Sequence, residues 1–252
     1  MGSEPSTTAP ETDEPRRSPA RPILYGISAV SVIVSSALLG WRLVAASAVV
    51  LAIHEFGHAA VIWLYTRRFP PVVLVIPLFG ATFGASMTGR APHQILCMKM
   101  GGVWLSGLLA FLLVPFAGTA DWLYLPILYS VLVNAFNLLP VPGMDGGAIA
   151  PYLVRGRSWP QRLAVTLFLV GLGALLAAWL NSVFIWVLFG LNTMAMLIRA
   201  FQAPREADAL PTPALLAWIG AQALTLTVLL HLLWTLLSME DPWGRVSRAV
   251  GI

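Results

Sequence analysis

The sequence predicts an all-α polytopic membrane protein, with about six to seven transmembrane helices and a small membrane-associated β segment between the second and third. Three observations predict this fold class. Of the 252 residues, 58% are hydrophobic and 10% are charged, whereas ordinary soluble domains have about 25% charged residues. Apolar runs of roughly 18 to 25 residues recur, and a helix needs about 20 to cross the hydrocarbon. The charges lie at the ends of these runs, as membrane topology requires.

The sequence also argues against nucleic-acid binding and excludes sites that need several cysteines. The formal net charge of +4 does not indicate a nucleic-acid-binding protein, because the basic residues flank apolar runs and form no separate patch. We therefore expect the lipid bilayer, and no nucleic acid, among the partners. Cys97 is the one cysteine, which excludes an intrachain disulfide and a cysteine-based zinc site.

The chain is expected to form one membrane domain, residues 23–237, between two tails. Residues 1–22 are rich in Pro, Ser, Thr and Glu, a composition typical of disorder, and we expect a disordered cytosolic tail. Residues 238–252 form the C-terminal tail. A cleaved signal peptide fits the N-terminus poorly, because acidic residues precede the basic pair and the apolar stretch that follows is long.

Seven stretches have the length and apolar character of membrane spans. They are approximately 24–40, 43–65, 96–116, 122–139, 162–180, 182–198 and 213–237. With the N-terminus in the cytosol, twelve of the fifteen Lys and Arg residues lie on the inner side, which agrees with the positive-inside rule. The outer three are Arg42, Arg245 and Arg248. The last two lie in the C-terminal tail and oppose the rule, so the orientation of the last span stays open.

The segment between the second and third spans, "PPVVLVIPLFGATFGASMTG" at residues 70–89, does not favour a spanning helix. Its β-branched residues, Pro77 and spaced glycines are unfavourable in helices. Short strands joined by glycine turns, dipping into the membrane face, are the preferred interpretation, and an ordinary loop is the alternative.

Three ionisable side chains interrupt the apolar second span in "LAIHEFGHAAVIWLY", residues 51–65. His54 and His58 are four residues apart, so both imidazoles project from one helix face and their nitrogens can bind one metal ion. Glu55 lies about 100° further round the helix, close enough to reach a water on the metal. A charged group at the bilayer centre costs at least about 2.5–3.5 kcal/mol. The pattern therefore predicts a functional metal site.

A catalytic zinc site needs a third protein ligand, and Asp145 is the favoured candidate. It lies in "NAFNLLPVPGMDGGAIAPYL", residues 134–153, where prolines end the fourth span and glycines let the backbone turn round the carboxylate. The other candidates are weaker. His93 is expected in a loop, His231 stands alone in the last span, and Asp121 is expected as a solvated cap in a short outer loop.

Two separated motifs resemble those of the site-2 protease family of intramembrane zinc metalloproteases (M50-type). H-E-F-G-H at residues 54–58 matches the family's H-E-x-x-H, and N-L-L-P-V-P-G-M-D-G at 137–146 matches N-x-x-P-x-P-x-x-D-G. The resemblance covers about residues 43–155, the expected catalytic core. It implies that His54, His58 and Asp145 bind one Zn²⁺ per chain, although His2Asp ligation also suits iron or cobalt.

The resemblance also implies roles for residues that do not bind the metal. Glu55 would be the general base, and Asn137 would hold substrate or the developing oxyanion. The family's Gly-x-x-x-small element is matched loosely by Gly102 and Ser106, for which simple helix packing is an equal interpretation. The segment 70–89 is similar to the family's membrane-associated β region, which would align an extended substrate by strand addition.

The function predicted on this basis is hydrolysis of a peptide bond in or near the transmembrane segment of a membrane-protein substrate. Family clients suggest a membrane-tethered transcription regulator or an anti-sigma factor. We expect a multi-pass protein of a bacterial plasma membrane, with a cytosolic N-terminus and an active site towards the cytosol. Two alternatives stay open. One is a catalytically silent relative that binds transmembrane segments as a scaffold, and the other is a metal or proton transporter.

Overall fold

A computed structural model describes residues 21–70, 72–76, 80–83, 90–140, 144–154, 158–180, 190, 193–194 and 210–251. Within these residues the chain is mainly helical. The helices are α1 (Arg21–Leu39), α2 (Trp41–Thr66), α3 (Pro92–Leu113), α4 (Asp121–Asn137), α5 (Ala150–Val154), α6 (Trp159–Leu180), α7 (Thr212–Leu237) and α8 (Pro242–Val250). Residues 1–20 of the expected tail and nearly all of the predicted span 182–198 lie outside the described residues.

Three helices are long and apolar enough to cross a membrane, judged by length and composition over the described residues. They are Trp41–Thr66, Pro92–Phe116 and Thr212–Leu237. These correspond to the second, third and last predicted spans, as expected for a helical membrane protein. A shorter apolar helix, Gly26–Leu38, lies within the first predicted span. The other spans, and therefore the total of six to seven, stay predictions.

Helices α2 and α3 pack backbone against backbone through a pair of glycines. A Cβ on Gly57 would collide with the carbonyl group of Gly101, and a Cβ on Gly101 would lie 2.6 Å from the Gly57 oxygen. Close approach of two helices in a membrane requires small residues of this kind at the contact. The contact fixes the spacing between α2, which has both motif histidines, and α3.

The main apolar core lies between α3, α4 and α7. Its fully buried members include Val103 of α3, Val131 of α4 and Leu236 of α7. Tyr124 of α4 is also buried there, and its hydroxyl donates to the Leu236 carbonyl oxygen at 2.9 Å. The hydroxyl therefore has the partner that a buried tyrosine needs. This core holds α4 against α3 with a defined face inward.

Two strands lie between α2 and α3, inside the segment 70–89 for which strands are predicted. β1 (Val72–Ile76) and β2 (Gly80–Phe83) pair antiparallel, with Val75 opposite Ala81 and an irregularity near the start of β1. The strands contact α1 and α2. The association of this hairpin with the membrane stays a prediction.

The C-terminal segment 238–252 includes a helix, α8, that packs on α4. Arg248 lies 2.6 Å from one oxygen of Asp121 and 3.0 Å from Asp241, and Arg245 lies 3.3 Å from the other oxygen of Asp121. Asp121, expected as a solvated cap, is partly exposed at the start of α4, and two guanidinium groups pair with its carboxylate.

Candidate metal centre

The two histidines and the aspartate predicted as ligands lie together in the structure. His54 and His58 are one turn apart on α2, and Asp145 directly precedes a 3-10 turn, Gly146–Ile149. Asp145 Oδ2 is 3.1 Å from Nε2 of each histidine, and the two Nε2 atoms are 3.1 Å apart. All three residues are buried. In the described part of the chain they form the group able to hold a metal ion.

The protonation of His58 directs a lone pair into this triangle. Its Nδ1 lies 2.8 Å from the Met98 carbonyl oxygen, which can only accept, so Nδ1 must hold the proton and Nε2 is unprotonated. The Gly102 N–H also lies within hydrogen-bonding geometry of the same Nδ1, at the longer distance of 3.3 Å, but one ring nitrogen cannot both donate to Met98 and accept from Gly102. The shorter contact therefore decides the tautomer.

The donor set fits a divalent metal ion. With His58 in this tautomer, an imidazole lone pair faces a carboxylate oxygen at 3.1 Å, an arrangement that is repulsive unless a cation lies between the atoms. Tetrahedral zinc with ligands at roughly 2.0–2.1 Å holds neighbouring ligand atoms about 3.3 Å apart. The observed triangle needs an expansion of only a few tenths of an ångström to reach that spacing. Two imidazoles and one carboxylate also match an open catalytic zinc site.

The chain brings Asp145 to the histidines through a tight turn at the end of α4. A Cβ on Gly146 would collide with the Leu138 carbonyl group, so only glycine allows this approach. Lys99 Nζ lies 3.7 Å from the other oxygen of Asp145, and this ammonium group favours the ionised carboxylate that a cation needs.

The two residues predicted to act without binding metal lie beside the triangle. Asn137 is the last residue of α4, and its Nδ2 is 3.4 Å from His54 Nε2. Glu55 follows His54 on α2, is partly buried, and does not belong to the ligand group. The roles of both residues stay predictions.

The other candidate ligands lie away from the group. His93 is in the first turn of α3, where we expected a loop, and His231 is in α7. Asp121 pairs with arginines at the start of α4. None of the three is a member of the ligand group found among the described residues.

Sequence reasoning missed the groups that contact the Nδ1 atoms of the two histidines, on the side away from the ligand triangle. Ser106 and Asn134 contact His54 Nδ1, and the Met98 carbonyl contacts His58. A carbonyl has no signature in a sequence. A buried asparagine one turn before Asn137 was a usable signal, because polar residues in spans are costly. The sequence left two interpretations of Gly102 open, a family element and simple helix packing. In the structure, the absence of a side chain at Gly102 leaves room for both imidazoles.

Comparison with known proteins agrees with the second of the two motifs. Residues 112–178 match the family model of peptidase family M50, which confirms the resemblance to the site-2 protease family. The matched segment contains Asn137 and Asp145 and begins after the histidines. No curated protein matches the chain significantly. Among solved structures, the chain is similar to the site-2 protease from Methanocaldococcus jannaschii at 18% identity and a TM-score of 0.46, covering 75% of this chain and 91% of that chain.

Proposed function

We propose that the chain is an intramembrane zinc metalloprotease, because its two motifs resemble those of the site-2 proteases and residues 112–178 match peptidase family M50. The observation that carries the proposal is the triangle of His54, His58 and Asp145, with sides of 3.1 Å. Three buried ligand atoms that converge in this way leave the rest of a tetrahedral ion open to water and substrate.

The proposed reaction is hydrolysis of a peptide bond in or near a substrate's transmembrane segment. When bound, Zn²⁺ polarises the scissile carbonyl and lowers the pKa of water towards about 7. Glu55 takes the proton of the attacking water and passes it to the leaving amine. Asn137 Nδ2, 3.4 Å from His54 Nε2, donates a hydrogen bond to the oxygen that gains negative charge.

The substrate segment has to be extended before it can be cleaved. A helical peptide bond is shielded and its carbonyl is already hydrogen-bonded. The hairpin of β1 and β2 has a backbone edge, and an extended segment can add to such an edge as a further strand. By family resemblance, the substrate is a single-span membrane protein such as a tethered transcription regulator or an anti-sigma factor, processed from the cytosolic side of a bacterial plasma membrane.

Replacement of the proposed base tests the function. Glu55→Gln should retain zinc, because Glu55 is not a ligand, but should slow cleavage by about 10²–10⁴-fold through loss of general base catalysis. Quantitative proteomics of membrane fractions then detects single-span proteins that accumulate uncleaved. Glu240→Gln, which removes the charge of an exposed acid after α7, is the matched control and should process normally.

Two outcomes of this experiment contradict the proposal. Normal processing by Glu55→Gln would show that Glu55 is not the base. Stable binding of transmembrane segments with no cleavage even by the wild type would favour the alternative, a catalytically silent scaffold.

A further inference from the structure

A buried polar network surrounds the side of His54 that faces away from the ligand triangle. His54 Nδ1 is 3.0 Å from Asn134 Oδ1 and 3.3 Å from Ser106 Oγ. Asn134 is on α4 and is fully buried, and Ser106 is on α3 and nearly so. Neither residue belongs to the two motifs. A buried asparagine in an apolar helix is costly unless its hydrogen bonds are satisfied, so its partners define what it does.

The orientation of the Asn134 amide is fixed from its other end. Ser130 Oγ donates to the Ser106 carbonyl oxygen at 3.1 Å, and this acceptor uses the single hydroxyl proton. Ser130 can therefore only accept from Asn134, and Asn134 Nδ2 donates to it at 3.3 Å. With Nδ2 turned towards Ser130, Oδ1 must face His54.

This orientation selects one tautomer of His54. The amide oxygen can only accept, so His54 Nδ1 has to hold the proton. The lone pair of Nε2 then points at Asp145 Oδ2 and His58 Nε2, both 3.1 Å away. If the amide were reversed, Nδ2 would donate to Nδ1, the proton would lie on Nε2, and that nitrogen could not bind a metal. His58 is fixed differently, by the main-chain oxygen of Met98.

We propose that Asn134 is the positioning residue that holds His54 in its metal-binding tautomer, with Ser130 fixing the direction of the amide. This inference rests on the proposed metal site and adds to it a residue that touches neither metal nor substrate. Partners of this kind, which accept a hydrogen bond from the ring N–H of a ligating histidine, typically contribute 10–100-fold to metal affinity.

The test compares two substitutions of one residue in the full-length protein purified in detergent. Asn134→Leu keeps the approximate size of the side chain but removes the acceptor, whereas Asn134→Asp keeps an acceptor oxygen. Zinc affinity is measured by competition with a chelator. The leucine variant should bind zinc about 10–100-fold more weakly, and the aspartate variant should remain close to wild type. Ser47→Ala, which removes a buried hydroxyl bonded within α2 to Val44, is the control and should not change the affinity.

A second measurement needs no metal and no activity. The ¹⁵N chemical shifts of the His54 ring report its tautomer in metal-free protein at mildly alkaline pH. Wild type and Asn134→Asp should show the proton on Nδ1, and Asn134→Leu should show a mixture. Should the leucine variant fail to fold, Ser130→Ala releases the amide and should give a mixture as well.

The outcomes separate this inference from the proposed function. Wild-type zinc affinity together with an unchanged tautomer in Asn134→Leu would overturn the role of Asn134, and an unchanged tautomer in Ser130→Ala would overturn the role of Ser130 in fixing the amide, since Ser106 Oγ also lies 2.8 Å from Asn134 Oδ1. Absence of zinc binding by the wild type would instead remove the proposed protease function, while the ring shifts would still decide whether Asn134 sets the tautomer.

Discussion

Neighbouring groups place the ring protons of His54 and His58 at the ligand triangle, and that placement suits a bound cation. The Met98 carbonyl and the Asn134 amide oxygen each accept from Nδ1 of one histidine, which leaves both Nε2 atoms unprotonated. These atoms converge with an ionised Asp145 carboxylate in a buried space. Without a cation such a cluster would be unfavourable, so the arrangement favours metal binding before any mechanism is considered.

Substitution of Gly102 in α3 tests most directly whether the two imidazoles lie where the structure places them. A Cβ there would lie 2.5 Å from His58 Nε2 and 2.8 Å from His54 Cδ2. Because overpacking of this kind costs about 1–3 kcal/mol, Gly102→Ala should displace the imidazoles and weaken zinc binding by about tenfold or more, as measured by chelator competition.

The matched control for that substitution is Gly107→Ala on the same helix. Its Cβ would make an ordinary contact, 3.7 Å from Leu229, so the zinc affinity should stay at the wild-type value. Equal affinities of the two variants would mean that the imidazoles are not held where α3 places them.

The residues of the candidate site divide into those that the sequence could predict and those that it could not. His54 and His58 could be predicted because their spacing is local, and a helix puts positions four apart on one face. Asp145 lies about ninety residues further on, so its place beside them could be expected only from the combination of motifs. Asn134 and Ser106 come from different helices, and their contact with His54 depends on how those helices rotate and pack.

The apolar pattern does not show which helix faces meet: a glycine pair joins α2 and α3, whereas an apolar core joins α3, α4 and α7. In lipid a helix is apolar on every face, so the hydrophobic pattern that identifies a span does not show which face meets a neighbour. This is why the sequence could place α2, α3 and α7 along the chain but not their contacts. The same was true of segment 70–89. Its composition predicted strands, but it did not predict the pairing of Val75 with Ala81.

The contact of α2 with α3 predicts a large effect from a single methyl group. Gly57→Ala would place a Cβ against the Gly101 carbonyl group, and backbone atoms cannot rotate aside as a side chain can. We expect a loss of about 1–3 kcal/mol in unfolding free energy, measured by denaturant titration in detergent micelles.

The control for this helix contact is Gly171→Ala in α6, where nothing lies within 4 Å of the added Cβ. Alanine favours a helix over glycine by about 0.8–1.0 kcal/mol, so this variant should be as stable as wild type or slightly more stable. If Gly57→Ala were equally benign, the two backbones would not be in the contact described.

In the described part of the molecule, charged or metal-ligating side chains from distant parts of the chain meet in two clusters. At one end, α8 returns to the start of α4 and pairs Arg245 and Arg248 with Asp121. Exposed pairs of this kind contribute little, about 0–1 kcal/mol each. At the other place, a metal ion would link α2 to the turn after α4, and a bound ion stabilises by about 2.7 kcal/mol when its concentration is one hundred times its dissociation constant.

The pairing of α8 could not be predicted from the sequence, since it joins residues about 125 positions apart through flexible charged side chains. The two basic residues of the C-terminal tail pair with Asp121 in the described part of the chain. The positive-inside rule counts Lys and Arg and not net charge, so the orientation of the last span stays open.

The most direct test of the account is the zinc content of the purified full-length protein, measured by elemental analysis after dialysis against metal-free buffer. Wild type should hold one zinc ion per chain. Asp145→Ala removes one of three ligands and should hold less than about a tenth of that amount, whereas Asp241→Ala, which removes an exposed acid near α8, should hold as much as wild type. A wild-type protein that is folded but free of metal, or an Asp145→Ala variant that retains its zinc, would contradict the account.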